Sequence, residues 1–283
     1  MIAVGLLLSC AVAAAPAVTG PLPELKAAID ELRRLPADDL YGGGMVPPAA
    51  IPLLKQMKHR LRDVVQGLLD SRGDAWTPDE LRSAIESELR GAGIAIADEP
   101  PSEKDLGYGR VIEITVRRPE GHPNLLAVNT MLSLTCGDDS AFHLFRWDAG
   151  RWTRILTRES DGYRMIDRAL GRFEYRISKP DAAGRFYVVT TSISPWCSSC
   201  WSALRYRVLA VSTDPDRPEV LGDGEHDIYA CAGEELTLLP YGFRLGFQAL
   251  PEKKTDYHWR TITYTVSRGG VKKLASKWGE EAK

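Results

Sequence analysis

The period of the apolar residues changes once along the chain, near residue 105, and that change sets what the chain can fold into. Before it, apolar side chains recur every three or four residues. Leu22, Leu25, Ile29, Leu32 and Leu35 line one side of a helix, with Glu24, Lys26, Asp30 and Arg34 on the other, and Pro36 ends it. A Gly- and Pro-rich linker follows at 41–48. It is no phosphate loop, because no strand precedes it and no Lys-Ser/Thr pair follows. A second helix spans 50–72, with a stripe of Leu54, Met57, Leu61, Val64 or Val65, and Leu68. Lys55, Lys58, His59, Arg60 and Arg62 make a basic face. Such a face suits anionic lipid, but it reads here as solvated, diluted by Asp63 and Asp70. Thr77, Pro78 and Glu80 form a capping box that opens a third helix, buried through Leu81, Ala84, Ile85 and Leu89 and ended at Gly91 or Gly93.

After residue 105 the alternation is that of strands. Expected strands lie at 111–116, 125–135, 141–147, 151–157, 172–177, 186–193, 204–211, 235–239, 243–249 and 259–266, with a last hairpin turning at Arg268-Gly269-Gly270. Two turns look alike, Asp148-Ala149-Gly150-Arg151-Trp152 and Asp181-Ala182-Ala183-Gly184-Arg185-Phe186. They hint at a propeller-like repeat, but no clean period supports one, and they read as shared turn chemistry. The expected fold is α+β. An N-terminal helical region (18–100) of about three helices precedes an antiparallel β domain (105–276), sandwich- or barrel-like with several hairpins, and a tail (277–283).

The formal net charge of −2, from 36 basic and 38 acidic residues, gives no sign of a nucleic-acid binder. Residues 1–17 resemble a secretory signal: an apolar core, then small residues ending at Ala15-Pro16-Ala17. The apolar stretch before Pro16 falls short of the roughly 20 residues that a spanning helix needs. The pattern departs from the usual signal in having no Lys or Arg ahead of the core. Leu7-Leu8-Ser9-Cys10 also resembles the bacterial lipoprotein cleavage motif, which would anchor the chain by a lipid on Cys10. The preferred reading discards Cys10 with the signal and places the protein in the periplasm or outside the cell. Four cysteines then remain, Cys136, Cys197, Cys200 and Cys231, an even number that suggests two disulfides with three possible connectivities.

Trp196-Cys197-Ser198-Ser199-Cys200 resembles the active-site pattern of the thioredoxins. The resemblance implies Cys197 as nucleophile and Cys200 as resolving thiol, on a helix whose N-terminus stabilises the thiolate. The residues that follow, 201–211, lean in composition to a strand. A zinc site would need Cys136 and Cys231 as the other ligands, and each is isolated. The preferred reading is structural. Cys197 and Cys200 staple a tight turn while Cys136 pairs with Cys231, or the four cross-pair.

No two of the five histidines stand at ligand spacing. Asp223-Gly224-Glu225-His226-Asp227 and Cys136-Gly137-Asp138-Asp139-Ser140 read as polar turns. No nucleophile elbow, dinucleotide loop or Walker loop is present, and no cofactor or metal is called for. Trp147, Trp152, Trp196 and Trp201 are the candidate binding residues, although strand aromatics more often fill a core or its rim. The expected function is a non-enzymatic binding or interaction module of the cell envelope, with an envelope protein or a glycan as its partner. The alternatives are a thiol–disulfide oxidoreductase using Cys197 and Cys200, and a secreted hydrolase with no recognisable motif.

Overall fold

The computed structural model describes residues 20–32, 34–35, 48–72, 76–94, 96, 112–134, 137–160, 169–194, 200–252 and 254–281. The expected signal with Cys10, most of the 41–48 linker, Cys136, Trp196 and Cys197 lie outside them. The described residues form three helices, α1 (Pro21–Leu32), α2 (Ala50–Arg72) and α3 (Pro78–Gly91), and then twelve strands. The α3 capping box is present: Thr77 Oγ1 accepts from Glu80 N, and Glu80 Oε2 accepts from Thr77 N at 3.0 Å.

The strands make three four-stranded antiparallel sheets, each a meander in chain order. The first sheet holds β1 (Ile112–Arg117), β2 (Leu125–Leu134), β3 (Gly137–Asp148) and β4 (Arg151–Arg158). The second holds β5 (Glu174–Ile177), β6 (Tyr187–Ile193), β7 (Trp201–Ala210) and β8 (Glu219–Tyr229). The third holds β9 (Glu234–Leu239), β10 (Gly242–Ala249), β11 (His258–Ser267) and β12 (Gly270–Glu281). They are open sheets stacked in layers and do not close into a barrel. The two look-alike turns join β3 to β4 and β5 to β6, different steps of their meanders, so they share turn chemistry rather than a repeat. At the first, Ala149 (φ 50°) and Gly150 (φ 78°) take the left-handed pair that a two-residue hairpin needs.

Alternation along each strand explains the stacking, because the first and second sheets bury apolar side chains on both faces and the third on one. One face of the first sheet (Ile112, Ile114, Leu126, Val128, Leu132) packs with Leu54, Leu61, Leu81 and Ile85 of the helices. Its other face (Ala127, Phe142, Leu144, Leu156) meets Val188 and Leu209 of the second sheet. The second sheet then turns Val189, Leu204, Tyr206 and Val208 onto Phe243, Leu245, Phe247 and Ile262 of the third. Each fully buried Phe of this layer contributes roughly 1.5–3 kcal/mol.

Three sequence readings change here. The acidic 223–227 stretch is no turn; it is the middle of β8, an edge strand. Its outward Asp223, Glu225 and Asp227 are exposed, which hides its period behind charge. Its glycines serve close approach: a Cβ on Gly224 would stand 2.6 Å from the Tyr206 ring, and one on Gly222 would stand 2.7 Å from Val271. Residues 137–140 likewise belong to β3, with Asp139 and Ser140 buried. The tail expected at 277 begins inside β12.

The local Cys197–Cys200 staple gives way to a bond between Cys200 and Cys231, 31 residues apart. It ties the start of β7 to the 3₁₀ turn Ala230–Ala232, where Ala230 N also donates to Cys200 O at 2.7 Å. Cys231 is thereby unavailable to Cys136. A helix does not follow the cysteines either: β7 begins at Trp201, so the thiolate-stabilising helix end that the thioredoxin likeness implies is missing. The other two cysteines, Cys136 and Cys197, lie outside the described residues. Non-reducing peptide mapping of the purified protein should find Cys200 and Cys231 peptides linked. A 197–200 linkage would contradict the assignment.

Candidate anion-binding cleft

Lys58 lies on α2 between Leu54 and Leu61, four residues after the one and three before the other. That spacing turns it to the buried stripe and away from the solvated face expected for it. Its side chain is 2% exposed, and its ammonium group is ion-paired to Asp139 of β3, which is fully buried. Lys58 Nζ also donates to Ser160 Oγ at 3.0 Å, just past the end of β4. Asp139 Oδ1 accepts from Leu170 N at 2.9 Å. Next to it, Asp138 accepts from Arg172 N at 3.0 Å. Burial, reinforced by the charges of Asp139 and Glu113, raises Asp138 to about 6 against that hydrogen bond. The Lys58–Ser160 contact has the residue types of a Ser–Lys nucleophile. An ammonium ion-paired to a carboxylate donates to the hydroxyl, however, and cannot take its proton. The arrangement buttresses α2 against the first sheet.

Beside this pair a cleft of about 570 Å³ opens between α2, the end of β4, and β7 with its loop to β8. Four guanidinium groups line it: Arg62 from α2, Arg158 from β4, Arg207 from β7 and Arg217 from the loop, with His59 near them. Two carboxylates, Glu159 and Asp216, oppose them. Asp216 is already engaged by Arg154, whose NH1 and NH2 bond its two oxygens at 2.7 and 3.0 Å. Arg62 Nε and Arg217 Nε stand 3.9 and 3.8 Å from Asp63 and Asp214, which lie outside the lining; within the lining, guanidinium groups outnumber carboxylates four to two. His143 lies behind two of the lining residues, Thr157 and Glu159. It is buried, and burial first, then the charges of Arg154, Arg62, Lys58 and His59, hold its imidazole well below its ordinary range. Its Nδ1 faces Thr157 Oγ1 at 3.4 Å. Its Nε2 stands 3.8 Å from Glu159 Oε1, too far for a hydrogen bond.

The loop that closes the cleft is docked on β4 by three bonds. Thr157 N donates to Pro215 O at 2.7 Å, and Arg154 NH1 and NH2 each donate to one oxygen of Asp216; within β4, Arg154 NH1 also donates to Thr157 Oγ1 at 2.9 Å. On the other side of Arg154 lies a second cavity, of about 660 Å³, lined by Gln66, Asp70, Trp147 and Trp152 among others. The structure thus brings two of the candidate tryptophans together, with ring centroids 5.6 Å apart. Trp152 is buried against the helices, and Trp147 is half-buried. Trp201 stands apart, at the opposite end of β7 from Leu209, 43% exposed and packed on Tyr257 and Tyr229. His226, from the acidic stretch, is inside the stack. Its Nε2 lies 2.8 Å from Tyr264 Oη, and burial lowers its pKa.

Among the described residues, no group of three or more His, Cys, Asp or Glu is placed to hold a metal ion. No described helix is long and apolar enough to cross a membrane. Compared with known proteins, the chain matches no family model, no curated protein and no solved structure.

Sequence reasoning placed Arg62 and His59 on a solvated basic face and missed Arg158, Arg207 and Arg217, because the four arginines come from separate segments and no spacing links them. Lys58 was findable, since its place on the stripe follows from helical period alone. Replacing it by Met removes the ammonium counter-charge from the buried Asp139, which should destabilise the fold by about 3–5 kcal/mol. Lys58→Met with Asp139→Asn keeps the bond to Leu170 N and removes the charge, and should recover most of that loss. Urea unfolding of the two variants measures both. A loss below about 1 kcal/mol in the single variant, the scale of an exposed pair, would contradict the buttress.

Proposed function

We propose that the chain is an exported, non-enzymatic binding module of the cell envelope, and that its working site is the cationic cleft between α2, β4 and the β7–β8 loop. The observation that carries this reading is the set of four arginines from separate segments lining one cavity. Guanidinium groups bind carboxylate and phosphate through paired donors, and several in one cleft favour a ligand carrying more than one negative charge. The volume lies within the range of ligand sites. Export is supported by the secretory-signal pattern of 1–17, and the Cys200–Cys231 bond suits an oxidising compartment. Membrane attachment enters only through a lipid on Cys10.

Pyrophosphate is a suitable small probe. Isothermal titration should detect its binding, weakening as salt rises. Arg207→Gln should reduce affinity by about tenfold to a hundredfold, the scale of one charge-assisted contact. Unchanged affinity in Arg207→Gln and in Arg62→Gln would place the ligand elsewhere and overturn the reading.

A further inference from the structure

The two cavities lie along one stripe of one helix. His59 and Arg62 of α2 line the cationic cleft, and Gln66, Leu69 and Asp70 line its neighbour. From residue 59 to 70 the helix rises roughly 16 Å. Arg154 lines one cavity and its ion-pair partner Asp216, on the docked loop, lines the other. Pro215 borders one cavity and Asp216 the other.

The two ends differ in chemistry. The cleft is cationic. The other end sets the half-buried Trp147 beside Asp70 and Gln66, whose Nε2 donates to Asp70 Oδ1 at 2.9 Å. An indole offers an electron-rich apolar face to the C–H groups of a sugar ring. A carboxylate and an amide next to it accept from and donate to hydroxyls. Arg151 and Arg154 line this end as well, so positive charge for the acidic groups of a ligand extends beyond the cleft. An acyl chain would be poorly served here, because burying Asp70 and Arg151 against it leaves charges without water.

We propose that the two cavities are the two halves of one groove, and that its ligand is an anionic oligosaccharide. A sugar ring lies on Trp147 with its hydroxyls on Asp70 and Gln66, and the acidic groups of the chain lie among Arg62, Arg158 and Arg207. The Arg154–Asp216 pair marks the crossing point between the halves. This inference rests on the anion-binding reading of the cleft.

The test is a titration series on the unmodified protein with galacturonic acid, its trimer and its hexamer at fixed ionic strength. Hexa-aspartate serves as a ring-free polyanion, and maltohexaose as a neutral glycan. Affinity should rise by about tenfold or more from monomer to hexamer, and hexa-aspartate should bind less tightly than the hexamer by a similar factor. Trp147→Ala should weaken the hexamer by about tenfold and leave pyrophosphate unchanged, whereas Arg207→Gln weakens both. Affinity independent of chain length, or hexa-aspartate binding as tightly as the hexamer, overturns the groove while pyrophosphate binding still upholds the cleft. Equal binding of maltohexaose overturns the anionic class. The length series needs no variant, so it decides even where Trp147→Ala does not fold.

Discussion

One buried ion pair, Lys58 with Asp139, fixes the part of the molecule on which a function can be argued. It joins α2 to the first sheet at a point where neither charge reaches water. Apolar packing alone lets a helix slide or rotate by part of a turn at modest cost, but a buried charge tolerates no such shift. The pair therefore sets the rotation of α2 and, with it, the stripe from His59 to Asp70 that walls both cavities. Ser160 and Leu170, bonded to the same two side chains, bring the end of β4 and the chain before β5 into register with the helix.

The rest of the architecture follows from faces that need covering. Sheets with two apolar faces stack until something ends the stack. On one side the helices do so, turning Leu25, Leu54, Leu61 and Leu81 inward. On the other side the third sheet carries Arg244, Thr261, Thr263 and Thr265 outward, a face that water can wet. Its last strand, β12, bears exposed Lys272, Lys273 and Lys277, which blunt a long edge against pairing with another chain. The cleft is walled by the end of β4, by β7, by α2 and by the docked loop.

The sequence made the layers legible and left the site mostly hidden. Helical and alternating periods locate α1–α3 and most strands, because burial on one face imposes that period. The method failed where charge masked it. β8 reads as a turn because Asp223, Glu225 and Asp227 point to solvent and two glycines interrupt it. Asp138 and Asp139 read as a turn because acids rarely lie inside a strand, yet Asp139 is buried there by its partner. Trp147 and Trp152 were legible as candidates, and they face each other across the β3–β4 hairpin. The cysteines could be counted but not paired, since pairing depends on which strand ends meet. The arginines of the cleft converge only through tertiary packing.

The most direct test of the account is hydrogen–deuterium exchange on the full chain, with and without saturating pyrophosphate. Exchange reports where the backbone is held more firmly once a ligand is bound. The account predicts slowed exchange in two stretches, 157–160 and 212–220, with little change around Trp201 and the Cys200–Cys231 bond. Protection confined to the Trp201 end, with those two stretches unchanged, would contradict the claim that the cleft beside α2 is the binding surface.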